Sequence, residues 1–233
     1  MKQKEILLNT PEMNKQHEET GDNHAGFSLE TPLREDAFEL DDELKIELIA
    51  KHFKEIMQIM GLDLTDDSLK GTPHRVAKMY VKEIFSGLNP ANAPDVRLFE
   101  NKYQYKNMLV EKSISFHSTC EHHFVPIIGK AHVAYIPNGK VVGLSKLNRI
   151  VRYFARRPQV QERMTIQIAN MLKDTLGVAD VAVLIEADHL CVASRGVQDA
   201  SSKTVTSEYS GKFLDMKTRE EFLSYITLNH SKE

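Results

Sequence analysis

Cys120-Glu121-His122-His123 and His189-Leu190-Cys191 hold both cysteines of the chain and three of its ten histidines, in two clusters about 70 residues apart. They constrain the fold most, because thiolate and imidazole are the donors zinc favours. A hydrolytic zinc site uses three protein ligands and keeps one position open. Cys120 and His123 stand in a C-x-x-H spacing that lets both side chains reach one ion from a turn, and Cys191 can supply a third donor from another strand end. Five candidates for three places leave His122 and His189 as spare imidazoles, which titrate near neutrality and can move protons. Each has a plainer role open to it, as a fourth ligand or as a hydrogen-bond partner of a ligand. The set as a whole has one too: a structural zinc, or a buried thiol among surface histidines. Glu121, between the ligands, is expected to point away from the metal as a solvated or salt-bridged residue.

Composition narrows the class. With 233 residues, 41% of them hydrophobic, the chain has apolar material for one large domain or two small ones. A formal net charge of −3 offers no basic field for nucleic acid. Two cysteines are too few for a disulfide framework. The polar start, Met1-Lys2-Gln3-Lys4-Glu5, and the lack of a long apolar run lead to the expectation of no signal peptide and no membrane span. The expected setting is a reducing cytoplasm, where thiols stay free and metal binding is favoured over a bridge.

Residues 1–38 are polar with little periodicity and are expected to form a flexible tail. Residues 39–230 are expected to form a single domain, with early helices over 42–87 and a core over 108–230. Leu44, Leu48, Ile49, Phe53, Ile56, Met57 and Met60 recur at helical spacing before Gly61. Thr72-Pro73 predicts an N-cap and a second helix running through Ile84. Residues 89–107 read as a connection. Alternation from Met108 predicts one strand, residues 124–136 a second, and Pro137-Asn138-Gly139-Lys140 a turn before Val141-Val142. Ser145 is expected to cap a short helix, and Pro158 to open a longer one that ends at Gly177. Strands are predicted over 181–186 and 205–209, and a last helix behind a capping box at Thr218-Arg219-Glu220-Glu221. This order predicts an α+β fold with an antiparallel sheet, the Cys120 cluster lying at a junction between two strands.

Cations suited to phosphate oxygens are Lys146, Arg149 and Arg152 at helical spacing, Arg156-Arg157 beyond them, Arg195 after the second cluster, and His74, Arg75 and Lys78 on the early helix. Each taken alone is more often a solvated basic residue. No glycine-rich phosphate loop is present, so any nucleotide must be held by side chains. Glu162, behind Gln161 at a predicted helix start, can accept from the N1 and N2 edge of guanine, or can simply complement the helix dipole.

Taken together, these blocks resemble the signature of GTP cyclohydrolase I. They are Ser118-Thr119-Cys120-Glu121-His122-His123-Phe124, Gly143-Leu144-Ser145-Lys146-Leu147-Asn148-Arg149, Arg157-Pro158-Gln159-Val160-Gln161-Glu162-Arg163, and His189-Leu190-Cys191-Val192 with Arg195-Gly196. Thr72-Pro73-His74-Arg75 also fits. The resemblance implies a tunnelling fold in which each subunit adds strands to a shared barrel, a homodecamer of two pentamers, and active sites between subunits. It implies opening of the imidazole ring of GTP, release of C8 as formate, and formation of 7,8-dihydroneopterin triphosphate for folate and related pterins. By resemblance, Cys120, His123 and Cys191 bind a zinc ion that activates water for attack on C8. By the same resemblance His189 protonates the purine ring near N7, and His122 transfers protons at the ribose. Glu162, supported by Gln161, anchors guanine, and Ser145 assists the later rearrangement. Lys146, Arg149 and Arg195 contact the triphosphate, with Arg75 and Lys78 reaching in from a neighbour. Two other readings stand beside this one: a relative that stops at the ring-opened formamide or uses another purine nucleotide, and a non-catalytic zinc-stabilised ring that binds nucleotides or partners. A zinc nucleobase deaminase would carry P-C-x-x-C, which is absent.

Overall fold

The computed structural model describes residues 28–228. Helix α1 (Asp42–Ile59) starts where the side chain of Asp41 accepts from the Leu44 amide at 2.8 Å, with Asp42 and Glu43 in the first turn. Those carboxylates satisfy and complement the positive end of the helix. It ends before Gly61, whose φ of 82° is the left-handed conformation that glycine adopts without strain. Helix α2 (Thr72–Met79) begins one residue earlier than expected. Gly71 is the cap, and Thr72-Pro73 occupies the first turn. The predicted continuation through Ile84 is present, but as a π-helical turn, Tyr80–Ile84.

The main sheet contains β2 (Leu109–Cys120), β3 (Pro126–Tyr135), β5 (Pro158–Gln159), β6 (Val181–His189) and β7 (Thr204–Tyr209), in the order β5-β2-β3-β6-β7. Four strands are antiparallel, and β5 joins β2 in parallel. The sheet is therefore mixed, where the sequence led to an antiparallel expectation. Within residues 89–107, read as connection, β1 (Leu98–Glu100) pairs with β4 (Lys140–Val142). Pro158 does not open a helix: it lies in β5, and the long helix starts at Gln161.

Helix α3 (Leu144–Ala155) and helix α4 (Gln161–Leu176) cover one face of the sheet. Leu147, Ile150, Met164 and Ile168 meet Phe116, Val133 and Ile185 in the main core. Gly143, not Ser145, is the cap residue of α3. The short helix α5 (Leu190–Ala193) follows β6, and α6 (Met216–Thr227) closes the described chain. Its cap is Asp215, which accepts from Thr218 N–H at 3.0 Å, so the expected capping box at Thr218 lies inside the helix. On the opposite sheet face Ser115, His117, Ile128, Lys130 and Glu186 are exposed.

Residues 28–31 belong to the stretch expected to be a tail, yet they lie against α4. The Ser28 and Leu29 carbonyls accept from Arg163 and Gln167. Residues 32–38 of that stretch are also described, whereas residues 1–27 fall outside the described residues, as do residues 229–233.

Candidate active site

Strand β3 brings the two Cys/His clusters together. Its Pro126 pairs with Thr119 of β2 and its Ile127 with His189 of β6, so β2 ends and β6 ends at one edge of the sheet. Adjacent strands sit about 4.8 Å apart, which leaves side chains from β2 and β6 able to meet across the end of β3. Cys120 is the last residue of β2. Its N–H donates to Val125 O, and the Phe124 N–H donates to Cys120 O, both at 2.9 Å, so residues 121–124 form a tight turn. Phe124 takes a φ of 53° there.

The ligand atoms of Cys120, His123 and Cys191 all lie within 4.8 Å of one another. Cys120 Sγ is 3.9 Å from His123 Nδ1 and 3.7 Å from His122 Nδ1. Two thiols and an imidazole converging from two strand ends fit a borderline-soft divalent ion better than a hard, oxygen-seeking one. Burial, with the neighbouring Cys120, pushes the Cys191 thiol up. His123 Nε2 lies 2.7 Å from Arg195 Nη1. A guanidinium can only donate, so Nε2 accepts there, and Nδ1 is the nitrogen turned to Cys120.

Gln161, 1% exposed, sits behind the second spare imidazole. Its amide nitrogen lies 3.1–3.2 Å from Ile185 O, Thr204 O and Thr206 Oγ1. Those acceptors fix which end of the amide is nitrogen. Its oxygen therefore faces His189 Nε2, at 2.8 Å. His189 must donate from Nε2, which leaves Nδ1 as its basic nitrogen. Burial lowers the His189 pKa, against the opposing charges of Glu162 and Asp188, and favours the neutral ring. Glu162 is exposed at the start of α4.

The structure thus gathers Cys120, His122, His123, His189, Cys191, Gln161, Glu162 and Arg195 at one edge. Ser145, Lys146 and Arg149 stand elsewhere. Asn148, among them on α3, donates to Glu111 at 3.1 Å. Glu111 is nine residues before Cys120 on β2, toward the other end of that strand. Lys146 Nζ donates to Asp95 O. Arg149 lines a cleft of about 510 Å³ with Lys82, Arg152 and Arg156. Arg157 is not part of that cleft: it is buried, its guanidinium 4.5 and 4.7 Å from the ring centres of Tyr153 and Phe154. Arg75 is turned back on its own helix start, donating to Ser68 O and Thr72 Oγ1, and Lys78 is exposed on α2.

The family of the chain follows from its matches. A model of GTP cyclohydrolase I matches residues 49–227. The chain belongs to the GTP cyclohydrolase I family. It is 60% identical over 212 residues to GTP cyclohydrolase 1 of Flavobacterium johnsoniae, covering 91% of this chain and 95% of that one. It is 56% identical over 199 residues to GTP cyclohydrolase 1 of Salmonella choleraesuis, covering 85% and 90%. Both Cys/His clusters, and all three places where α2, α3 and α4 carry candidate residues, lie inside the GTP cyclohydrolase I match. Residues 28–31 lie before it. One further contact at the site has no local signature in the sequence: Glu121 is held by Arg163, 42 residues on.

Proposed function

We propose that the chain is a zinc-dependent GTP cyclohydrolase, which opens the imidazole ring of GTP, releases C8 as formate and forms 7,8-dihydroneopterin triphosphate, the first step of folate and pterin synthesis. The convergence of Cys120, His123 and Cys191 beside an oriented His189, in a chain of this family, carries the reading. Two thiolates and an imidazole suit zinc. When bound, the ion supplies Lewis acidity and a water nucleophile usable at neutral pH.

The residues of the chain do the rest. Glu162 accepts from the N1 and N2 hydrogens of guanine. Gln161 holds the His189 ring, whose Nδ1 takes up and returns a proton at the purine near N7. His122, beside the metal loop, moves protons at the ribose, and Ser145 assists the rearrangement there. Arg195, Lys146, Arg149, Arg75 and Lys78 hold the triphosphate. Arg195 is already at the edge where the two clusters meet, whereas Lys146 and Arg149 lie on α3, whose Asn148 meets Glu111 toward the other end of β2.

That separation supports a site completed by a second copy of the chain: one copy supplies the metal and purine half, another the α3 residues. Leu44, Leu48, Ile56 and Ile59 of α1, with Met60 just beyond it, leave an apolar stripe at least 40% exposed, which fits burial between copies. The proposed assembly is a decamer of two pentamers with a shared tunnelling-fold barrel. Edge strand β7, unpaired on one side among the described residues, is suited to sheet extension.

The test is GTP incubated with metal-quantified protein, with formate and dihydropterin followed together. Equal amounts of both, abolished by a chelator, are expected. Formate without pterin would favour the reading in which the reaction stops early, and neither product from assembled, zinc-loaded protein would favour a non-catalytic ring. A narrower expectation concerns Glu162→Gln, which replaces a double acceptor with one acceptor and one donor. Selectivity for GTP over ATP in competitive binding should fall at least about tenfold. Unchanged selectivity would place base recognition elsewhere.

A further inference from the structure

Arg163 is one residue beyond Glu162 and is 4% exposed. A buried guanidinium is tolerated only when its donors are met. Here all three nitrogens are engaged. Nη1 and Nη2 reach the two carboxylate oxygens of Glu121 at 2.5 and 3.2 Å, and Nε donates to the Ser28 carbonyl at 2.8 Å. The fork-on-fork pair fixes direction as well as distance. Glu121 lies between Cys120 and His122, and its own N–H donates to Gln159 O at 3.1 Å. The first residue of the metal loop is therefore pinned by both backbone and side chain.

A second path runs parallel to the first. Gln167 Nε2 donates to Leu29 O at 3.2 Å and reaches Glu30 Oε2 at 3.4 Å. Its Oε1 accepts from Gln159 Nε2 at 2.9 Å. Gln159 is in register with Cys120. Residues 28–30 thus lie as a strap across two buried side chains of α4, each linked to the metal loop on its far side.

We propose that Arg163 is a positioning residue for the metal loop. Through Glu121 it holds Cys120 and His123 converged, and through Ser28 it makes the hold depend on the N-terminal strap. Arg163 touches no reacting atom. It acts by keeping the ligands close, and it ties the loop to the same helix turn that presents Glu162. The inference rests on the metal-site reading, but its main measurement, zinc release, needs no nucleotide.

The experiment measures release of zinc from the intact, assembled protein to a chromogenic chelator, for wild type, Arg163→Lys, Glu121→Gln and the double variant. Lysine keeps the charge but cannot meet both Glu121 oxygens and the Ser28 carbonyl. Both single variants are expected to release zinc about tenfold faster, the size of effect seen when a group supporting a metal ligand is lost. The double variant should be no faster than the faster single, because both changes break one link. With saturating zinc, Arg163→Lys should lower kcat for GTP while leaving KM within about twofold, as expected when uniform substrate binding is intact. Glu121→Gln, at a partly exposed position, carries the test if Arg163→Lys fails to fold. Wild-type release rates in the folded variants, or additive effects in the double, would overturn the proposal. So would a raised KM with unchanged release. Faster release in a protein that yields no formate from GTP would uphold it and count against the proposed reaction alone.

Discussion

His189→Ala is expected to cut GTP turnover by about two orders of magnitude or more, with bound metal and assembly unchanged. The ring is not in the convergent ligand set, so its removal takes no donor from the ion. What it removes is an oriented base. Gln161 is buried, and its nitrogen faces the carbonyl oxygens of Ile185 and Thr204, so its oxygen receives the His189 Nε2 proton. That fixes the tautomer. Burial lowers the pKa, against the charges of Glu162 and Asp188, and so favours an unprotonated Nδ1. Turnover and metal content measured on the same preparation check the expectation. Wild-type turnover would remove His189 from the proton path, and lost metal would make it a ligand.

Cys191→Ser is expected to act on the metal instead. Zinc binding of about 10–16 kcal/mol shared among four ligands amounts to about 3 kcal/mol each, or about two orders of magnitude in affinity. A serine hydroxyl does not ionise near neutrality as a thiol does, and it is the harder donor. Bound zinc should fall well below one per chain, and activity with it. In wild type, the raised Cys191 thiol means that uptake must displace a firmly held proton, so retention should weaken as pH falls. Full zinc occupancy in Cys191→Ser, measured by metal analysis, would contradict its role as a ligand. If the assembly persists without metal, the ion serves chemistry more than folding.

The sequence showed what local pattern can carry. The apolar spacing from Leu44 to Met60 predicted α1, because apolar residues recur once per helical turn, although most of them stay exposed in the single chain. The C-x-x-H spacing gave the metal loop, because both donors sit on one turn. Strand β1 was missed: its three residues pair with β4 about 40 positions away, and no alternation can show in so short a run. Pro158 looked like a helix start, since proline fits a first turn equally well. Its place in β5 is set by pairing with Thr119 of β2, which is a tertiary choice. The Gln161–His189 and Arg163–Glu121 contacts join residues 28 and 42 positions apart and leave no periodicity to read. That Ser145, Lys146 and Arg149 stand apart from the metal cluster follows from the packing of α3 on β2, where Asn148 meets Glu111, and no local pattern shows it.

In the proposed assembly, a metal half and the α3 triphosphate contacts come from different copies of the chain. The direct test co-expresses His189→Ala with a chain carrying both Lys146→Ala and Arg149→Ala, and measures formate released from GTP. Each variant alone should be nearly inactive. Mixed assemblies should recover about a quarter of wild-type activity, since a site between two copies is intact only when both halves come from the unmodified side of each chain. No recovery in assemblies shown to contain both chains would mean that one copy carries the whole site, and would contradict the account.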